Sequence, residues 1–201
     1  MKIKRTMNCL LCFALCLLFV FSFAACKGTR NSAEEAAGSA APTVSDKSLS
    51  LSVPLSAIDE EFRNNLDGFC KKYGYESATL GEDGKSVNVV VNEFNYKLKM
   101  TNRGMEAIKG IYAVAEDSKT YPYVAGIESY DDKDFREVVL LVSKKKYDSD
   151  PSKELAAFSI GQSCLLYQAY STLTDYECKV IIKDKSTKEV IETKIYNELV
   201  L

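Results

Sequence analysis

The chain has no histidine among its 201 residues. This absence excludes histidine-dependent catalytic triads, histidine-containing metal sites and the usual general base near neutral pH. Cations are not in excess either, because 26 Lys plus Arg stand against 28 Asp plus Glu, giving a net charge of −2. Without a basic surplus there is little to hold a phosphate backbone, so the sequence predicts no nucleic-acid binding.

Catalytic motifs are missing or incomplete. Gly161-Gln162-Ser163 begins a nucleophile elbow, but Leu165 replaces its second glycine and the segment lies in a predicted helix. Ser143 and Lys146 have Ser-x-x-Lys spacing, but they follow a predicted strand among like charges. No Gly-rich phosphate loop is present. The sequence therefore predicts no catalytic residue and no cofactor, and a protein that is not an enzyme.

A metal site is not predicted. Asp131, Asp132 and Asp134 could offer oxygen atoms to Ca²⁺, but the glycine turn and the distal glutamate of a calcium loop are absent. We predict that these residues form a solvated hairpin turn.

The first 25 residues have the layout of a secretory signal peptide. Lys2, Lys4 and Arg5 precede an uncharged, apolar stretch, and small residues stand immediately before Cys26. The stretch is also close to the ~20 residues that span a bilayer. Two alternatives therefore stay open, an uncleaved anchor and plain secretion by cleavage after Ala24.

The segment Phe23-Ala24-Ala25-Cys26 resembles the lipobox of bacterial lipoproteins, in which small residues precede a cysteine. The family usually has leucine where this chain has Phe23, which is still large and apolar. The resemblance implies cleavage before Cys26, a diacylglycerol on its thiol, and an amine that can be acylated, for example with palmitate. Two acyl chains suffice for stable anchoring. We therefore expect a lipid-anchored protein on the extracytoplasmic face of the cell membrane, in a Gram-positive bacterium.

Residues 26–47 are predicted to be the lipidated cysteine and the flexible tether that follows it. They are mostly small and polar, and such a stretch cannot bury enough surface to offset its ordering entropy. Beyond the tether only Cys70, Cys164 and Cys178 remain. Three cysteines allow at most one disulfide, and we expect these cysteines to be buried as small hydrophobic residues.

Residues 48–201 are predicted to form a single α+β domain. Alternating apolar residues over 49–55 predict a strand, which Pro54 places at a sheet edge. Helical spacing of apolar residues predicts helices over 58–73, 94–115 and 152–170. The start of the second also alternates like a strand, and we favour the helix. Hairpins are predicted over 75–91, 123–142 and 177–197. The expected architecture is an antiparallel sheet built of hairpins, with about three helices packed on one face.

The second half of the chain contains Leu166-Tyr167-Gln168-Ala169 and the two segments 179–184 and 187–191. Through them, residues 123–197 resemble uncharacterised lipoproteins of Gram-positive gut bacteria. Some of those proteins are labelled by similarity to the N-terminal domain of a streptococcal surface adhesin. The resemblance implies surface display and no known activity.

Tyrosines are the remaining feature of the second half. They are enriched at binding surfaces, and they also suit half-buried strand positions. Tyr121, Pro122 and Tyr123 form a candidate binding loop, because the proline should hold the segment outside regular structure. We predict a non-catalytic binding or interaction module for an unknown protein or envelope ligand. The alternatives are a cell-wall or other hydrolytic enzyme that uses carboxylates, and a structural or assembly factor of an envelope complex.

Overall fold

The computed structural model describes residues 47–200. The predicted signal peptide, Cys26 and almost all of the predicted tether lie outside these residues. The strands are β1 (Ser48–Pro54), β2 (Ser77–Leu80), β3 (Ser86–Asn92), β4 (Val124–Tyr130), β5 (Glu137–Val142), β6 (Cys178–Asp184) and β7 (Val190–Tyr196). The helices are α1 (Glu60–Arg63), α2 (Leu66–Tyr73), α3 (Glu93–Glu116), α4 (Lys144–Ser149) and α5 (Leu155–Ala169). None of the helices in this part of the chain has the length and apolar character needed to cross a bilayer.

The predicted α+β class is confirmed, and the strands form two sheets. The first sheet has the order β1-β3-β2 and is antiparallel. The second has the order β4-β5-β6-β7. All three predicted hairpins are present as antiparallel pairs. β1 lies at an edge of the first sheet, as Pro54 predicted, because a proline cannot donate to a second neighbour.

One strand pair differs from the antiparallel pattern that hairpins predict. β5 and β6 run parallel, with Val139 opposite Ile181. The chain leaves β5, passes through α4 and α5, and returns to the starting end of the sheet before β6. A helical crossover of this kind makes parallel neighbours, whereas a tight turn makes antiparallel ones. The hairpins β4–β5 and β6–β7 are therefore joined by the parallel pair β5–β6 at the centre of the second sheet.

The long helix α3 confirms the helical prediction for residues 94–115. Asn92 begins the helix, because its side-chain oxygen accepts a hydrogen bond from the N–H of Phe94 at 2.9 Å. The buried side chains Ala107, Ile111 and Val114 recur at helical spacing along one face.

The helix predicted over 58–73 is interrupted. The structure has a short 3₁₀ turn and then the separate helices α1 and α2. Asn65 starts α2 by accepting a hydrogen bond from the N–H of Gly68 at 3.0 Å, and this side chain competes with continued helix. Gly74 ends α2 in the left-handed conformation at φ 63°.

The helix predicted over 152–170 is present as α5, which begins later, at Leu155. Asp150 precedes this helix, and its carboxylate accepts a hydrogen bond from the N–H of Ser152 at 2.8 Å and closes a turn before it. The short helix α4 was not predicted.

Two hydrophobic cores meet along α5. The core of the second sheet contains the inner faces of α3 and α5, and the first-sheet core takes Ala169 and Tyr170 from the end of α5. Helices α3 and α5 cross closely at Gly110, where an added Cβ would lie 2.5 Å from Ser163 Oγ. This crossing sets the inner face of α3 beside the first-sheet core, and a cavity opens between them.

Candidate functional site: a cavity lined by tyrosines and cations

The candidate site is a cavity of about 390 Å³ between α2, α3 and the end of α5. This volume lies within the range of ~300–1,000 Å³ typical of small-molecule sites. Its walls combine four tyrosines, three cations and two carboxylates with a few apolar side chains. The charged and aromatic members are Asp59, Lys72, Tyr73, Tyr75, Tyr96, Lys99, Arg103, Glu106 and Tyr170.

Two tyrosines form the rigid part of the wall. Tyr75 stacks on Phe69 with ring centroids 5.1 Å apart, and burial raises the pKa of Tyr75 to about 12. Tyr170 is 5% exposed and donates a hydrogen bond from its hydroxyl to the carbonyl of Ala57 at 2.7 Å. Burial likewise raises the pKa of Tyr170, so both rings remain neutral phenols at physiological pH.

Arg103 packs against this wall. Its guanidinium carbon is 4.0 Å from the centroid of the Tyr170 ring, a cation–π contact. Its Nη1 donates to Glu106 Oε2 at 3.3 Å, and the carboxylate of Glu106 is largely exposed. The ring and Glu106 hold the guanidinium in place, and the planar fork of N–H groups in a guanidinium suits a planar anion.

Lys99 lies one helical turn before Arg103 on the same face of α3. Its ammonium donates to the carbonyl of Tyr73 and lies 5.0 Å from the centroid of the Tyr75 ring. Burial, and secondarily the charge of Arg103, lowers the pKa of Lys99. Within residues 47–200, Lys99 forms no ion pair with a carboxylate. An anion in the cavity would supply the missing counter-charge.

The third cation is already neutralised at the rim. Lys72 pairs with Glu61 at 3.1 Å and with Asp59 at 3.8 Å. Asp59 also accepts a hydrogen bond from the hydroxyl of Tyr73 at 2.6 Å. The carboxylate of Asp59 is therefore already paired. Because Arg103 pairs with Glu106, the uncompensated positive charge of the cavity is that of Lys99.

This arrangement is suited to binding an anionic group beside an apolar ring face. Two of its four tyrosine hydroxyls already donate hydrogen bonds, that of Tyr73 to Asp59 and that of Tyr170 to the carbonyl of Ala57. The four carboxyl groups in the described residues whose pKa clearly shifts, Asp83, Asp117, Glu128 and Glu192, all shift downward.

The predicted binding loop at Tyr121, Pro122 and Tyr123 lies elsewhere. Tyr123 is 1% exposed, and its hydroxyl donates to the carbonyl of Lys153 at 2.9 Å. The ring of Tyr123 therefore anchors the segment to the core. Tyr121 is half-buried, with its hydroxyl 3.1 Å from Ser159 Oγ, and only Pro122 is exposed.

The residues of the other sequence motifs form hydrogen bonds within the fold. Ser163 lies inside α5 and donates to the carbonyl of Ser159 at 3.0 Å, as helical serines do. Lys146 reaches the carbonyl of Pro122 at 3.3 Å. Asp131 accepts from the N–H of Lys133 at 3.0 Å and so closes its hairpin turn. Residues 47–200 contain no group of three or more carboxylates and cysteines arranged to hold a metal ion.

Sequence reasoning missed this cavity because its wall is assembled from distant segments. One signal was present: the helical prediction for 94–115 places Tyr96, Lys99 and Arg103 on a single face, where a wholly apolar stripe would have been expected of a buried surface. The pairing with Tyr75 and Tyr170 depends on how α2 and α5 pack, which no local pattern specifies. No protein-family model, curated protein or solved structure matches the chain.

Proposed function

We propose that the protein is a membrane-anchored extracytoplasmic lipoprotein whose domain binds a small anionic ligand with an apolar face, without catalysing a reaction. The leader and Cys26 support the anchoring, through diacylglycerol on that cysteine. The cavity supports the binding role. The single observation that carries it is the pair Lys99 and Arg103, held on tyrosine rings with more positive charge than the surrounding carboxylates neutralise.

Charge and shape together define the ligand class. The guanidinium of Arg103 presents a planar fork that suits a carboxylate, sulfate or phosphate. The half-buried side chains of Tyr96, Met100 and Leu166, which also line the cavity, offer apolar surface beside it. A ligand that combined an anionic group with an apolar part would relieve the desolvated charge of Lys99 and contact this surface. Nucleic acid remains outside the proposal, because the chain has no basic surplus.

The test uses residues 27–201, which lack the predicted signal peptide and Cys26 and retain both hydrophobic cores. Benzoate and phenyl phosphate serve as anionic probes, benzamide as the neutral analogue and benzylamine as the cationic one. Binding is followed by amide chemical shifts in NMR. We expect the anionic probes to shift resonances around Tyr75, Lys99 and Arg103, and the neutral and cationic analogues to leave them in place.

Variants of the cavity residues test where the anionic probe binds. Lys99→Gln and Arg103→Gln should each weaken phenyl phosphate binding about tenfold or more, since a charge-assisted hydrogen bond contributes ~1.5–3 kcal/mol. Lys109→Gln is the matched control, because Lys109 is an exposed lysine on the same helix and does not line the cavity. Equal binding of benzamide, or an equal loss in the Lys109 variant, would contradict the proposal.

A structural role in an envelope assembly is the second candidate. One observation favours it, a set of large apolar side chains exposed on α3: Phe94, Leu98, Met105 and Tyr112. Exposed apolar surface of this kind marks interaction sites. This face lies opposite the cavity, so both roles could coexist in one protein.

A further inference from the structure

Lys99 differs from the other half-buried lysines of the domain. Residues 47–200 contain five lysines that are half-buried. Three of them, Lys179, Lys183 and Lys194, form ion pairs with carboxylates. Lys99 and Lys153 form none within this part of the chain, and of these two Lys99 lines the cavity. Its amine is therefore partly removed from water without a counter-charge.

The carboxylates of the cavity are engaged by other cations. Asp59 lies 3.8 Å from the ammonium of Lys72, and Glu106 Oε2 lies 3.3 Å from Nη1 of Arg103. Neither carboxylate pairs with Lys99, so no acidic side chain of the cavity holds the proton of this amine.

The surroundings of Lys99 suit a nucleophilic amine. Burial and, secondarily, the charge of Arg103 lower the pKa of Lys99. A lysine that is desolvated, or that lies beside another cation, is activated as a nucleophile in this way. The neutral amine keeps its hydrogen bond to the carbonyl of Tyr73, because one N–H is sufficient as the donor, and its lone pair can attack a carbonyl carbon.

Arg103 is placed to hold the anionic end of the same molecule. It follows Lys99 by four residues, and side chains at this spacing are neighbours on one helix face, with ~5–6 Å between their Cβ atoms. Tyr170 and Glu106 hold the guanidinium in place, and water screens the largely exposed carboxylate of Glu106. A ligand can therefore meet Lys99 with one group and Arg103 with another, about one helical turn away.

We infer that Lys99 is a covalent capture site, whose amine forms a reversible imine with an aldehyde or ketone that carries a carboxylate or phosphate about one helical turn away. This inference rests on the proposed anion-binding function and names the class of ligand for the same cavity. Hydrolysis of the imine releases the carbonyl compound unchanged, so the step is capture without turnover.

Imine formation needs no oxidant or reductant. The lone pair of Lys99 Nζ forms a bond to the carbonyl carbon, the carbonyl oxygen takes a proton from water, and the nitrogen gives one up. The resulting hydroxyl group accepts a further proton and leaves as water, while the nitrogen lone pair forms the second bond to carbon. The product is a protonated imine, so the positive charge of Lys99 is retained beside the anionic group of the ligand.

The test uses 4-formylbenzoate as the anionic aldehyde and 4-formylbenzamide as its neutral analogue. Each is incubated with residues 27–201 and sodium cyanoborohydride, which reduces an imine to a stable secondary amine, and peptide mass spectrometry locates the label. We expect 4-formylbenzoate to label Lys99 at least tenfold faster than Lys153, the half-buried lysine that lies over the Tyr147 ring. The neutral aldehyde should lack this preference, and 4-methylbenzoate, an anion without an aldehyde, should slow the labelling of Lys99.

Two variants separate the nucleophile from the charges around it. Lys99→Arg keeps the positive charge and removes the amine, so it should still bind 4-methylbenzoate in the NMR assay and take no label at residue 99. Arg103→Gln should slow the labelling of Lys99 by 4-formylbenzoate about tenfold, because it removes a charge-assisted hydrogen bond to the carboxylate. Lys109→Gln is the matched control and should leave the rate unchanged. Circular dichroism melting checks that each variant is folded.

Three outcomes would overturn the inference, and they differ in what they mean for the proposed function. If 4-methylbenzoate shifts the resonances around Lys99 but 4-formylbenzoate labels Lys99 no faster than Lys153, the cavity binds anions without forming an imine, and the proposed function stands. If 4-formylbenzamide labels Lys99 as fast as 4-formylbenzoate does, the anionic group plays no part in the capture. If 4-methylbenzoate causes no shift and Lys99 shows no preferential labelling, the proposed function fails together with the inference.

Discussion

The side chain of Gln168 pairs with the backbone of Glu177 in both directions. Its Nε2 donates to the carbonyl of Glu177 at 2.9 Å, and its Oε1 accepts from the N–H of Glu177 at 2.8 Å. The same Nε2 lies 3.1 Å from the carbonyls of Asp134 and Phe135. One fully buried amide therefore ties the end of α5 to the second hairpin turn and to the chain entering β6.

Replacing Gln168 with leucine should destabilise the domain by about 3 kcal/mol or more. The change leaves an N–H and carbonyls buried without partners, and each such group costs ~1–3 kcal/mol. The free energy of unfolding in urea measures the effect.

Gln162→Leu is the matched control for this prediction. Gln162 also lies on α5, and its side-chain amide hydrogen-bonds to the backbone of Glu198 and Val200. These partners are in the exposed C-terminal segment, where water can replace the amide. We expect a loss near ~1 kcal/mol. Equal losses in the two variants would show that the two-sided pairing of Gln168 has no special role.

Local patterns predicted the elements that repeat a simple periodicity. The helix over 94–115 follows from apolar residues at helical spacing, and the hairpins follow from alternating strands around polar turns. The break at Asn65 was missed because an asparagine within an apolar pattern can either lie inside a helix or cap a new one. Here the hydrogen bond from the N–H of Gly68 makes Asn65 the cap of α2. Gln168 stood in a segment that resembles other lipoproteins, but its buried bonds could not be read from that pattern.

Non-local features escaped prediction for a different reason. The parallel pairing of β5 with β6 depends on where the α4–α5 crossover returns the chain. The cavity depends on Arg103 meeting Tyr170, which lie on different helices. Such contacts are set by the packing of whole elements, so the sequence predicted the class and most of the elements but not the site.

The stacking of Arg103 on Tyr170 predicts an energetic coupling between these residues. In a double-mutant cycle of Arg103→Met and Tyr170→Leu, we expect a coupling of about 0.5–2 kcal/mol in unfolding free energy. Tyr170→Phe keeps the ring and removes the hydrogen bond to Ala57. Its coupling with Arg103→Met should therefore be much smaller. Equal coupling in the two cycles would mean that the hydroxyl, and not the ring, connects Arg103 to the wall.

The cysteines predict a graded thiol reactivity. Cys164 and Cys178 are fully buried, and the contact between them, together with burial, raises the pKa of Cys164. Cys70 is half-buried and all three are free thiols. In residues 27–201 we expect Ellman's reagent to modify Cys70 first and the other two only on unfolding. Release of a single thiol from the unfolded, unreduced chain would instead indicate a disulfide between Cys164 and Cys178.

Stability should fall in acid partly through Glu192. Its carboxylate accepts hydrogen bonds from the ammonium of Lys194 at 2.7 Å and from the hydroxyl of Tyr147 at 2.9 Å. Both bonds lower the pKa of Glu192, that from Lys194 the more, although burial opposes them. A carboxyl whose folded pKa lies below its unfolded value stabilises the fold above the unfolded pKa, near ~4.3. That stabilisation is lost as the pH falls through the folded pKa. Because the side chain of Glu192 is 35% exposed, solvent screens its charge. We therefore expect its ionisation to contribute less than about 1 kcal/mol to the free energy of unfolding.

The measurement is urea unfolding from pH 7 down to pH 3 for the wild type, Glu192→Gln and Glu189→Gln. The glutamine at 192 still accepts from Tyr147 but does not titrate, so its stability should fall less steeply below pH ~4.3 than that of the wild type. Glu189 is an exposed glutamate just before β7, and its variant should follow the wild-type curve. Parallel curves for the wild type and Glu192→Gln would mean that the bonds from Lys194 and Tyr147 do not favour the ionised carboxylate, and the acid sensitivity would then belong to other carboxylates.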